Sequence, residues 1–284
     1  MTLPTDFQFS QGSLQDYVDC ARRFQLRYLL RVAWPAVEAE PALEKERHLR
    51  QGVVFHRLIH QHLLGLSPER LSHTVSDEYL RRWWHNYLQN GPSGLPASRY
   101  PEVVLSTTVS GYRLVAKCDL IAVDPGRRAD FGELSGAVIV DWKTSPRRSP
   151  RQWLGKRLQT RVYPYVLVRA GSHLNDGQPF DPQRVEMVYW FANFPADPER
   201  FTYDPSHYDA DSAYLVSLIE EIKSLGDQEF ALTTEGRRCC YCAYRSLCER
   251  GVRAGPFDEA EERAELSDGF DISLDFEQIA EIEY

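Results

Sequence analysis

Ala137-Val138-Ile139-Val140-Asp141-Trp142-Lys143 decides how this chain folds. A small, β-branched apolar run leads into two charged residues with an aromatic between them, the composition of a buried strand that ends at a polar rim. Side chains alternate along a strand, so Asp141 and Lys143 share one face and Val140 and Trp142 the other. Upstream, Tyr112-Arg113-Leu114-Val115-Ala116-Lys117-Cys118-Asp119-Leu120-Ile121 is a second apolar run carrying an aspartate. Two carboxylates and a lysine from neighbouring strands suit metal-dependent hydrolysis of a phosphodiester. The carboxylates hold a hard cation, and the lysine offsets developing negative charge or orients the attacking water. Asp-x-Lys alone reads equally well as a surface ion pair.

Three features point the same way. His56 lies in Gly52-Val53-Val54-Phe55-His56-Arg57-Leu58-Ile59-His60, which predicts a helix with Val53, Phe55, Leu58 and Ile59 as its apolar face. A neutral imidazole aimed at the carboxylates completes a metal shell, whereas a merely solvated histidine is the plainer reading. About 16 residues past Lys143 comes Gln159-Thr160-Arg161-Val162-Tyr163, in which Gln159 and Tyr163 share a helix face directed at the strands. Finally, Cys239, Cys242 and Cys248 form Cys-x2-Cys-x5-Cys, with Cys20 alone near the other end of the chain. Three thiolates leave a metal site one ligand short, so a distant fourth is expected. Cys20 follows Ser13-Leu14-Gln15-Asp16, a capping-box-like start to a helix striped with Leu14, Tyr17, Val18, Ala21, Phe24 and Tyr28. Cys118, within a strand, reads as a small buried hydrophobe, and Cys240 is left unassigned.

In this order, Cys20, His56, Asp119, Asp141-x-Lys143, Gln159-x3-Tyr163 and the C-terminal cysteines resemble the PD-(D/E)xK nuclease superfamily. More narrowly they resemble its RecB-type branch with an iron–sulfur cluster, which includes the AddB nuclease domain and CRISPR-associated adaptation exonucleases. The resemblance runs over about residues 10–252. It implies Mg2+ or Mn2+ bound by His56, Asp119, Asp141 and the Trp142 carbonyl, with Lys143 catalytic and Gln159 and Tyr163 supporting the site. It also implies one 4Fe–4S cluster on Cys20, Cys239, Cys242 and Cys248, with zinc as the alternative occupant. The substrate it implies is DNA, single-stranded or with free ends, in spacer processing beside a CRISPR integrase or in recombinational repair beside a helicase. The competing class is a catalytically silent DNA-end-binding subunit, against which the joint presence of Asp119, Asp141 and Lys143 argues.

The chain has 284 residues and a net charge of −8, which alone argues against nucleic acid. That charge is unevenly spread: eleven of the 41 acidic residues, but only one basic residue, fall after position 256. The expected organisation is therefore one nuclease domain over 1–256 and an acidic, flexible tail over 257–284. The nearly neutral body carries Arg147, Arg148, Arg151, Lys156 and Arg157 directly after Lys143, the candidate phosphate contacts. Arg22, Arg23, Arg27 and Arg31 form a second basic cluster. Trp83 and Trp84, one helical position apart, are expected to pack rather than to stack on bases. No basic leader followed by an apolar stretch and no apolar run of membrane length is present, so a cytoplasmic protein is expected. The element pattern predicts an α/β fold, a mixed central sheet flanked by helices; the resemblance implies that it is restriction-endonuclease-like, with an N-terminal helical region and a C-terminal cysteine segment joined by a metal cluster.

Overall fold

The computed structural model describes residues 3–32, 42–124, 136–226, 230–240 and 242–251. Its centre is a mixed six-stranded sheet. Strands β2 (Ser98–Val109) and β3 (Tyr112–Asp124) form a long antiparallel hairpin. The turn is Ser110-Gly111, both at positive φ, the geometry whose twist matches the flanking strands. β4 (Gly136–Lys143) pairs antiparallel with β3 and parallel with β5 (Val185–Phe191). Short strands close the sheet: β1 (Gln8–Ser10) lies parallel to β3, and β6 (Glu199–Thr202) antiparallel to β5. The mixed central sheet flanked by helices is the restriction-endonuclease-like architecture expected from the sequence.

The same edge of β3 serves two partners. Arg113–Val115 pair with β1, and Leu120–Asp124 pair with β4. Asp119 stands where the partner changes, and its strand is held on both sides.

Helices cover both faces. On one, α1 (Gln11–Asp19), α7 (Leu158–Ala170) and α8 (Pro205–Leu225) bury Leu14, Val162, Val166 and Leu215 against Leu114, Ala116 and Ile139. On the other, α3 (Ala42–Leu63), α4 (Pro68–His73) and α5 (Glu78–Asn90) bury Phe55, Ile59, Trp83 and Trp84 against Leu120, Val140, Trp142 and Trp190. Trp83 and Trp84 are thus core residues. Val140 and Trp142 face this second core, as the strand alternation required.

Local differences from expectation have local causes. A reciprocal capping box between Ser10 and Ser13 starts α1 earlier than Ser13. Cys20 is extended (φ −165°, ψ 105°) and separates α1 from α2 (Ala21–Phe24), so it is presented at a helix break rather than on a continuous helix. Val18 and Val53 of the expected apolar stripes are exposed. The helix that carries Gln159 and Tyr163 is α7, preceded by the short α6 (Arg151–Leu154), and α7 continues through Pro164. The acidic tail and the loop between β3 and β4 lie outside the described residues.

Candidate active site

The register places three carboxylates in a row. Leu120 pairs with Val140, so the next position sets Asp119 opposite Asp141, one step beyond the last β3–β4 pair. On the other side of β3, Pro101 pairs with Leu120 and Val103 with Cys118, which sets Glu102 opposite Asp119. On β5, Tyr189 is the partner of Asp141. Asp119 is fixed by the backbone N–H of Trp142, which donates to its Oδ2 at 2.9 Å. Lys143 Nζ lies 3.1 Å from Asp141 Oδ2 and 5.5 Å from the centre of the Tyr189 ring.

Two helices complete the site. α3 approaches the end of β4 closely: a Cβ at Gly52 would meet Thr144 Oγ1 at 3.1 Å, and His48 Nε2 lies 3.1 Å from the Thr144 carbonyl. One turn beyond Gly52, His56 Nδ1 sits 3.3 Å from Asp119 Oδ1. From the opposite face, Gln159 Nε2 donates to Asp141 Oδ1 at 2.6 Å and its Oε1 accepts from Lys143 Nζ at 3.0 Å. Tyr163, one turn further along α7, is buried in the core beneath.

The charges are interdependent. Burial disfavours protonation of His56, yet Asp119, reinforced by Asp141 and Glu102, lifts its pKa from 6.5 to about 9. Burial also works against ionised Asp119, but the charge and hydrogen bond of His56 and the Trp142 N–H hold its carboxyl below the ordinary range. Asp141 goes the other way: burial lifts it to about 7, opposed by Lys143 and assisted by Asp119. Carboxylates crowded where burial opposes the charge of Asp119 and Asp141 leave the site short of positive charge, the condition a hard divalent cation relieves. Among the described residues, His56, Glu102 and Asp119 offer ligand atoms all within 4.8 Å of one another. Glu102 escaped the sequence reading, and only its place across the hairpin from Asp119 could have marked it.

The cysteines fall into three environments. Cys118 is fully buried in the core, and burial pushes its thiol well up. Cys240 points at the Gly236 carbonyl, 3.8 Å away. Burial raises Cys239, Cys242 and Cys248, and for each the nearby Cys20 adds to the shift. Salt bridges bind the same junction. Fully buried Asp16 meets Arg23 at 2.8 Å and Arg27 at 3.0 Å, while Asp19 takes Arg23 at 3.0 Å and is paired with Arg238 beside Cys239. Arg23 and Arg27 of the second basic cluster therefore point inward.

The basic run after Lys143 divides. Arg147, Arg148, Arg151 and Lys156 are exposed; Arg148 and Arg151 share Glu199 on β6. Arg157 is buried, 3.9 Å from Asp19 and over the Trp153 ring.

A sheet that sets two aspartates and a lysine at the divergence of two strands, with a histidine delivered by a flanking helix, defines the class of metal-assisted phosphodiester hydrolases built on this α/β fold. The family model of the PD-(D/E)XK nuclease superfamily matches residues 8–249, and the chain belongs to that superfamily. The crystal structure of a "Putative exonuclease" from Eubacterium rectale superposes with a TM-score of 0.52 at 10% identity, covering 88% of this chain and 90% of that one. At that identity the likeness speaks for the fold alone. Comparison with curated protein sequences gives no match.

Proposed function

We propose that this nuclease is a divalent-metal-dependent deoxyribonuclease that acts on single-stranded DNA or free DNA ends, in CRISPR spacer processing or in recombinational repair. The observation that carries the reading is the Asp119–Asp141–Lys143 arrangement, complete in its charged groups and flanked by His56 and Gln159. When bound, Mg2+ or Mn2+ supplies polarisation of the phosphate and a more acidic water. The chain's own groups do the rest. Asp119, Asp141, His56 and the Trp142 carbonyl are the assigned ligands. Lys143 stands beside the charge that develops on phosphorus, and Gln159 fixes it there while holding Asp141. Arg147, Arg148, Arg151 and Lys156 are exposed next to β4 and suited to guide the phosphate backbone.

We assign Cys20, Cys239, Cys242 and Cys248 to one 4Fe–4S cluster with a structural role. It joins residues more than two hundred positions apart, where closing the chain is otherwise costly in entropy. The surrounding Asp16, Asp19, Arg23 and Arg238 pairs support the same junction.

The test is oxygen-free purification followed by incubation with 5′- and 3′-labelled single-stranded DNA and Mg2+ or Mn2+. Cleavage by wild type and none by Asp119→Ala or Lys143→Ala is expected, and the two labels report polarity. Folded, metal-loaded wild type that leaves DNA intact would rule the assignment out. Iron and sulfide in a 1:1 ratio are expected in the purified protein; zinc in their place would overturn the cluster assignment.

A further inference from the structure

Glu102 adopts a left-handed backbone, φ +54°, in the middle of β2. For a side chain with a Cβ this conformation is strained, and within a strand it needs an external reason to persist. Both strands of the hairpin change their inward face at this level. On β2, Val103, Leu105 and Val109 point into the core on odd positions, whereas Tyr100 does so on an even one. On β3, Leu114, Ala116 and Cys118 are inward on even positions, whereas Ile121 and Val123 are inward on odd ones. The switch falls at the facing pair Glu102 and Asp119. Its result is that the Glu102 carboxylate reaches the space that Asp119 and His56 already share, all three ligand atoms lying within 4.8 Å of one another. Asp141, by contrast, has one oxygen on Gln159 and the other on Lys143. Glu102 is paired with exposed Lys117 and also lies near His56.

We infer that Glu102 is a side-chain ligand of the active-site divalent cation, binding it together with His56 and Asp119. This rests on the metal-nuclease reading above. Imidazole and carboxylate oxygens would suit Mn2+, and Glu102 would add a donor from a separate strand beside those of His56 and Asp119. The strained backbone of Glu102 is then the cost of aiming its carboxylate, offset when the cation binds.

The test is Mn2+ binding by the full-length, chelator-stripped protein, followed by calorimetry and by loss of the free-Mn2+ resonance signal. Glu102→Gln is expected to weaken binding at least tenfold. Glu102→Asp keeps the charge but shortens the arm and is expected to weaken it comparably, which separates ligation from long-range attraction. Glu102→Gly accepts the positive φ, so its melting temperature in chelator is expected to equal or exceed that of wild type while its stabilisation by Mn2+ is largely lost. Wild-type affinity in Glu102→Asp or Glu102→Gly, with Asp119→Asn defective, would overturn the role of Glu102 and leave the nuclease reading intact. Mn2+ bound equally by wild type and Asp119→Asn would overturn both.

Discussion

Gln159 satisfies both halves of the Asp141–Lys143 pair at once, donating to the carboxylate at 2.6 Å and accepting from the ammonium at 3.0 Å. A neutral amide is the group that can do this, because it carries a donor and an acceptor on one rigid plane.

Replacing Gln159 therefore disturbs catalysis without emptying the site. Gln159→Ala is expected to lower kcat about 10- to 100-fold, the range for partners that orient metal ligands, with a much smaller change in KM. Gln159→Glu is expected to be worse, since it sets a second carboxylate against Asp141. Steady-state kinetics on a labelled oligonucleotide measure both, and wild-type kcat in Gln159→Ala would remove the residue from the site.

Gln15 governs where Gln159 stands. No side chain of α7 caps its own first turn; the N–H of Leu158 donates instead to Gln15 Oε1 at 3.0 Å, while Gln15 Nε2 donates to Asp19 at 3.0 Å. Asp19 in turn is paired with Arg238, next to Cys239. The segment beside Cys239 and the helix that carries Gln159 thus share one chain of polar contacts. Gln15→Ala leaves the Leu158 N–H unsatisfied and is expected to cost about 1–3 kcal/mol in denaturant unfolding, together with a fall in kcat. A stability loss with unchanged kcat would confine Gln15 to a structural role.

The His56–Asp119 pair makes metal-free stability depend on pH. The folded pKa of about 9 lies above the unfolded 6.5, so the stabilisation is fully present below pH 6.5 and disappears as pH rises through 9. In excess chelator, His56→Gln should therefore destabilise the protein at pH 6, by at most about 3 kcal/mol, and hardly at all at pH 10. Urea titrations at the two pH values check this; an equal loss at both would mean that His56 acts through packing.

Much of the site was legible in the sequence because it is written in strand alternation and helix spacing. Val140-Asp141-Trp142-Lys143 alternates without interruption, so the faces of all four followed from period two. His56 was reachable because its helix has a readable apolar face, and Gln159 because its spacing to Tyr163 sets both on one helix face. Glu102 was not, because its position comes from a local departure from strand geometry that period-two reasoning assumes away. Strands β1 and β6, three and four residues long, are too short to carry a period, and they depend on pairing with β3 and β5. The inward turn of Arg23, Arg27 and Arg157 was hidden for a different reason: a basic residue on a helix looks the same in sequence whether it meets solvent or a buried aspartate.

Asp16 gives that hidden network its energetic weight. It has no exposure and meets two guanidiniums, so the Asn variant leaves two partly buried positive charges short of their partner. Removing one member of a buried pair typically costs about 3–5 kcal/mol. Asp16→Asn is expected to lower the unfolding free energy by about 3 kcal/mol and to loosen the Cys20 end of the junction. Thermal unfolding follows the first effect and, if the cysteines hold the proposed cluster, iron content the second; an unchanged melting temperature would show the network to be dispensable.

Glu199 holds Arg148 and Arg151 at the edge of the sheet beside the catalytic strand. Both arginines are substantially exposed, 37% and 57%, so phosphate can compete with the carboxylate for them. If they contact DNA, Arg148→Gln and Arg151→Gln should each weaken binding of single-stranded DNA and reduce the salt slope of log K by about 0.7. Glu199→Gln should do the reverse, raising affinity by releasing two cations to the nucleic acid. Anisotropy titrations of labelled DNA from about 50 to 200 mM salt distinguish these signs. Unaltered slopes in both arginine variants would move the phosphate path away from β6, leaving Glu199 as a clamp on the loop that follows Lys143.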